Sequence, residues 1–150
     1  MSRSRRLAAA LLLVAFGAAS LAACTPGPTA AEEQATWDAW STSLLEDAGD
    51  AGIGGAFGAA GSDTTSTLNL GGGVTYRAVE LRCIGTDRAS FTLEYVAGGD
   101  TVTSTQEIVC HGGDPRTPIA IPTAVRELDT FTARATSPDG RGEWVALLQR

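Results

Sequence analysis

The chain has 150 residues, with 11 basic side chains, all of them arginine, against 17 acidic ones, for a net charge of −6. Nucleic-acid binding depends on a basic patch over the phosphate backbone, so this balance excludes nucleic acid as a partner and argues against flat adsorption on anionic lipid. Three cysteines and a single histidine supply no recognisable metal-ligand set, and neither a metal nor a cofactor is expected.

In chain order, the first element is MSRSRR followed by an apolar run from Leu7 to Ala23. A basic start, an apolar middle and small residues at the end are the parts of an export signal. As a helix the run would reach about 26 Å, close to a bilayer core. Gly17, Ser20 and many alanines dilute it, however, and TPGPT follows rather than a basic stop-transfer flank. Leu21-Ala22-Ala23-Cys24 resembles the lipobox of bacterial lipoproteins. That resemblance implies that Cys24 is diacylglycerylated and becomes the new N-terminus once residues 1–23 are removed. The chain is then exported and held on the outer face of the cell membrane, the bilayer being a partner through Cys24. More than one acyl chain is needed for stable attachment, and a lipobox product meets that condition. Arg5-Arg6 lacks the bulky apolar residues that follow a twin-arginine pair, which favours the general export route. A lysine-free composition rich in alanine and glycine, together with the lipobox, resembles actinobacterial lipoproteins.

With Cys24 committed to lipid, Cys83 and Cys110 are an even pair in an oxidising compartment, and a disulfide is expected between them. Closing that loop contributes roughly 3.5 kcal/mol by the chain-entropy treatment. No Cys-x-x-Cys occurs, so a redox role lacks support.

TPGPT reads as an extended spacer, making residues 24–29 a lipidated tether. Thr29 and Glu32 form a capping-box pattern ahead of Trp37, Trp40, Leu44 and Ala48, spaced by three and four, with Gly49 at the end. The spacing predicts an amphipathic helix over 30–48. Its tryptophans, Trp37 and Trp40, are expected against the downstream domain, with a face offered to a partner as the other reading. The segment 49–63 repeats glycine every third residue without the proline of collagen, and it is read as a Gly-rich linker with Ile53 and Phe57 touching the domain. Seven acids and no base lie between residues 25 and 63, whereas ten acids face eight arginines from 64 to 150, marking a boundary there.

From Thr64 onward β-branched and aromatic residues alternate with polar ones between glycine turns. Strands are predicted at about 64–70, 74–84, 89–97, 101–110, 117–121, 129–137 and 142–149. The expected fold is all-β, a small antiparallel β-sandwich of jelly-roll or immunoglobulin-like kind over 64–150, preceded by the helix. Arg82-Cys83-Ile84-Gly85 and Val109-Cys110-His111-Gly112 resemble the spaced Cys-x-Gly pattern of small actinobacterial lipoproteins of uncharacterised function. No tryptophan lies between the two cysteines, unlike an immunoglobulin core.

His111 sits in the turn CHGGD with no convergent partner, and no Gly-x-Ser-x-Gly elbow or calcium loop is present, so no catalytic residue is assigned. Glu127 and Asp129 could flank a groove. The sequence therefore points to a noncatalytic module of the cell envelope that binds a protein or glycan. The alternative is a small envelope hydrolase or glycan-processing enzyme using scattered carboxylates.

Overall fold

A computed structural model of the chain describes residues 27–115 and 118–150. The leader and Cys24 lie outside these residues. The described chain is one helix, α1 (Ala30–Ala48), followed by eight strands: β1 (Gly52–Ala56), β2 (Thr64–Asn69), β3 (Ala78–Ile84), β4 (Arg88–Ala97), β5 (Asp100–Val109), β6 (Ile119–Ala120), β7 (Thr130–Thr136) and β8 (Glu143–Gln149). The strands form two four-stranded antiparallel sheets, ordered β1-β8-β3-β6 and β2-β7-β4-β5. The expected all-β sandwich led by a helix is what the chain forms. Among the described residues no helix is long and apolar enough to cross a membrane.

The alternation read from the sequence sets which side chains point inward. Phe91, Leu93 and Tyr95 of β4, Phe131, Ala133 and Ala135 of β7, and Val79, Leu81 and Cys83 of β3 are all buried. Trp144 of β8 is fully enclosed; its ring meets Phe91 of the opposite sheet edge-on at 5.8 Å, and its Nε1 donates to Thr64 Oγ1 at 3.0 Å. An edge-to-face aromatic pair adds about 0.5–1.5 kcal/mol beyond the area it buries, and the indole N–H needs a buried acceptor of the kind Thr64 provides. Cys83 stands opposite Trp144 in the β3–β8 register. A tryptophan thus does lie beside the cystine, reached through strand pairing rather than through the residues between the two cysteines.

The Cys83–Cys110 disulfide is present, with its Cα atoms 5.0 Å apart and 27 residues of separation. It joins β3 of one sheet to the residue just after β5 of the other, so it laces the two layers together along one side.

One boundary is corrected. The segment 49–63, expected as a linker, instead carries a 3₁₀ turn at Gly49–Ala51 and then β1, which pairs along its length with β8. Glycine is a poor strand former, and its abundance masked the element. Here the missing side chains are what the packing requires. A Cβ on Gly52 would stand 2.9 Å from that of Ala48 and 3.1 Å from Leu45 Cδ2, so α1 can close on this strand only over glycine. Ile53 and Phe57 are buried in the core, so the sandwich begins at residue 52 rather than 64. Two strands are also shorter than expected. The segment 74–84 is paired as β3 only from Ala78, Thr75 making a lone bridge to Glu127, and 117–121 contributes only Ile119–Ala120 as β6.

Turns gather at two poles. The β3–β4 pole holds residues 57–63, 85–87 and 137–142, and the β4–β5 pole holds 70–77, 98–99 and 121–129. Both hairpin turns rely on glycine with positive φ, Gly85 at the first and Gly98 and Gly99 at the second. β5 is the last strand of its sheet.

Two outcomes follow from this architecture. Deleting residues 27–56 removes β1 and the cover over β8, and the remainder is expected to lose its cooperative unfolding transition; an unchanged denaturation midpoint would show that β1 is dispensable. Replacing both Cys83 and Cys110 by alanine should lower unfolding free energy by about 2–4 kcal/mol, and in the unaltered protein both thiols should alkylate only after reduction.

Candidate functional site

α1 begins as the sequence predicts. Thr29 caps it: Thr29 Oγ1 accepts from Glu32 N at 3.3 Å, and the Glu32 carboxylate accepts from Thr29 N at 2.7 Å. These bonds hold the Glu32 carboxyl below its ordinary range, the backbone N–H contributing most. The helix then lies over β8 and β1 on the outer face of their sheet. Its N-terminal half meets the β3–β4 pole and its last turn meets Gly52 toward the other.

Both tryptophans rest on glycines. Trp37 covers Gly85, where a Cβ would come within 2.8 Å of its ring, and Trp40 covers Gly113 in the CHGGD turn. Arg141 stacks on Trp37 at 5.7 Å and donates to Glu33 at 2.6 Å. A cation over an indole face is favourable, whereas the exposed ion pair contributes little. Trp37 and Trp40 are therefore half-buried against the sandwich, the packing expected of them from the sequence. Packing selects glycine at 85 and 113 for two reasons, since both also have positive φ.

Beside the tryptophans runs a polar stripe the sequence reading did not single out: Gln34, Asp38 and Ser41, spaced by four and three. It meets Glu143, the first residue of β8, which is buried. Gln34 Nε2 donates to Asp38 Oδ1 at 2.7 Å and to Glu143 Oε1 at 3.2 Å, while Ser41 Oγ donates to Glu143 Oε2. Burial, then the facing Asp38 carboxyl, pushes the Glu143 carboxyl above its ordinary range. Asp38 is held below its own range by the bond with Glu143 and secondly by Gln34. A signal for this cluster was available in the sequence. EWVALL is apolar at consecutive positions, as a strand covered on both faces must be, and Glu143 alone interrupts it in charge.

Two clefts open at the poles. At the β3–β4 pole a cleft of about 370 Å³ lies between Gly61, Ser90, Ile108 and Pro138, with Arg88 and Glu107 at its lining. At the β4–β5 pole a cleft of about 580 Å³ is lined by Gly72, Thr75, Gly98, Asp100, Thr123, Arg126, Glu127 and Asp129. Both fall within the size range of ligand clefts. The second contains the carboxylate pair anticipated from sequence, Glu127 and Asp129, and adds Asp100.

The two acids of that pair are not equivalent. Asp129 ties the pole together: its carboxylate accepts from Gly98 N at 2.8 Å, its N–H donates to Val96 O at 2.8 Å, and its carbonyl accepts from Leu70 N at 2.8 Å. Glu127 and Asp100 are exposed, and among the described residues their side chains make no hydrogen bond or ion pair. Arg126 donates from Nε to Ile121 O at 3.3 Å. The cleft can thus offer two uncommitted carboxylates beside backbone N–H groups and threonine hydroxyls.

His111 is exposed, and its carbonyl accepts from Asp114 N at 3.2 Å, closing a turn. Among the described residues no three His, Cys, Asp or Glu side chains gather where they could hold a metal ion. No protein-family model matches the chain, and no curated protein matches it.

Gly85→Ala and Gly113→Ala test the tryptophan seats. Each forces a Cβ into an indole and an L-residue into positive φ, and each is expected to cost about 1–3 kcal/mol of stability with a red shift in tryptophan emission. Denaturation midpoints equal to those of the parent chain would show that α1 does not seat on these glycines.

Proposed function

We propose that the chain is a lipid-anchored, noncatalytic binding module on the outer face of a bacterial cell membrane, offering its β4–β5 pole to an envelope protein or glycan. One observation carries the reading. α1 starts at the β3–β4 pole, so a tether through residues 24–29 attaches there and the cleft of Asp100, Arg126, Glu127 and Asp129 faces the opposite way. At no more than about 3.5 Å per residue, a tether this short keeps the first pole near the lipid and the second projecting from it. The Leu21-Ala22-Ala23-Cys24 lipobox pattern supports the anchor, and the Cys83–Cys110 disulfide is in keeping with an oxidising compartment.

Uncommitted carboxylates, threonine hydroxyls and glycine N–H groups in one cleft suit a partner rich in hydroxyl or cationic groups. The same carboxylates give the hydrolase reading its one specific support, since Glu127 and Asp100 share the cleft with Asp129. Paired carboxylates are the usual machinery of glycoside hydrolysis. The binding reading is preferred because Asp129 is occupied in holding the pole together and is not free to meet a substrate.

Photo-crosslinkers at Asp100 and Thr123, and for comparison at Arg88 and Ser90, distinguish the poles in intact envelopes. Adducts of reproducible mass from the first pair alone are expected; adducts from the second pair alone, or equally from both, overturn the orientation. Cys24→Ala should abolish lipid labelling and leave the leader attached, and normal processing of that variant would remove the anchor. Glu127→Gln should weaken capture of the crosslinked partner. A variant that captures it undiminished while substrate fragments cease to form would instead establish the hydrolase.

A further inference from the structure

Glu143 is 6% exposed although it bears a carboxyl group, and it stands on the outer face of its sheet beneath α1. Among the described residues its side-chain hydrogen-bond partners come from that helix. Ser41 Oγ donates to Oε2 and Gln34 Nε2 donates to Oε1 at 3.2 Å, while the same Gln34 amide donates to Asp38 Oδ1 at 2.7 Å. Two carboxyl groups therefore meet at one amide, across the seam between helix and sandwich. Such a pair resists double ionisation, and one proton can serve both groups.

We propose that this shared proton is the catch that holds α1 on the sandwich: with one proton between Asp38 and Glu143 the helix is seated, and with none it lifts from β8. Among the described residues no base stands ready to relieve the second charge. Arg141, in the turn before β8, is drawn to Glu33 at 2.6 Å and to the Trp37 ring. Arg82 of β3 is paired with Glu80 at 2.5 Å. Ala56 of β1 and Ile84 of β3 are the strand neighbours opposite Glu143, and β1 contributes no ionisable residue. Asp139 in the turn accepts from Ser137.

The direction of the pH response follows from linkage. Burial and then Asp38 raise the Glu143 carboxyl, so its contribution to docking is complete below its free value and is lost as pH rises through the raised one. Asp38 is lowered, so its contribution is present above its free value and is lost as pH falls through the lowered one. Docking is strongest between the two titrations. Above the Glu143 titration, lifting of α1 uncovers Val145 and Leu147 and unseats Trp37 and Trp40 from Gly85 and Gly113.

Hydrogen exchange of the full chain, read by mass spectrometry and corrected for intrinsic rates, tests the catch. Protection of residues 30–48 should fall about tenfold or more from about pH 5 to about pH 8, while that of residues 88–97 stays level. Glu143→Gln, which cannot ionise, should keep α1 protection level across that range. Asp38→Asn, which puts an amide donor against Glu143, should shrink the decline to less than about threefold. Level protection in the unaltered chain, or an equal decline in all three proteins, overturns the proposal. Should Glu143→Gln weaken docking at every pH, Asp38→Asn decides alone: an undiminished decline refutes the catch, and a reduced one supports it.

Discussion

Strand β8 is covered on both faces, and the rest of the molecule is arranged around that constraint. Trp144, Ala146 and Leu148 point into the sandwich, while Glu143, Val145 and Leu147 point the other way, under α1. A strand in the middle of an antiparallel sheet usually keeps one face in water. Here both are withdrawn from it, so the helix is not an appendage to the β-domain but its third layer. β1 follows from the same condition. It flanks β8, and its glycines at 52 and 54 bring the helix and the strand close enough to share one apolar seam. The cystine joins β3, on the other flank of β8, to the second sheet, so covalent and packing constraints converge on this strand.

The chain announces most of this in local signals. The Thr29–Glu32 capping box and the three-and-four spacing from Trp37 to Ala48 define α1 to the residue, because helix ends are set by a few nearby hydrogen bonds. Alternation defines β3, β4 and β7, whose inward faces are Val79-Leu81-Cys83, Phe91-Leu93-Tyr95 and Phe131-Ala133-Ala135. What escaped notice depends on tertiary packing. Gly52–Ala56 has little strand propensity beyond Ile53; it is a strand because β8 needs a neighbour with glycine or alanine on its outer face. Glu143 is buried because its surroundings are supplied by residues about one hundred positions away. Of the candidate cleft, Glu127 and Asp129 were visible as a pair of acids; Asp100, Arg126 and Gly98 join them only through the register of β4, β5 and the 121–129 connection.

The two poles differ in the work their residues already do. At the β3–β4 pole, Gly85 and Gly113 are taken up by tryptophans and Arg141 by Glu33 and Trp37. At the β4–β5 pole Asp129 and Arg126 brace the loops, leaving the side chains of Glu127 and Asp100 at the surface without protein partners among the described residues. Side chains without protein partners are available for recognition, and Glu127 and Asp100 are two such side chains in one cleft.

The position of β5 at the rim of its sheet has a bearing on life at high density. An edge strand of this length is a template for pairing with another copy. Molecules confined to a two-dimensional sheet of lipid meet one another edge-on far more often than molecules tumbling in bulk, so such an edge would invite lateral chains of protein. Asp100 and Glu107 sit near its two ends, and copies anchored at the same pole can meet only with their β5 strands parallel, which brings Asp100 toward Asp100 and Glu107 toward Glu107. Under the proposed anchoring, the acidity of this edge works as a spacer between neighbours, keeping the layer fluid rather than fibrous.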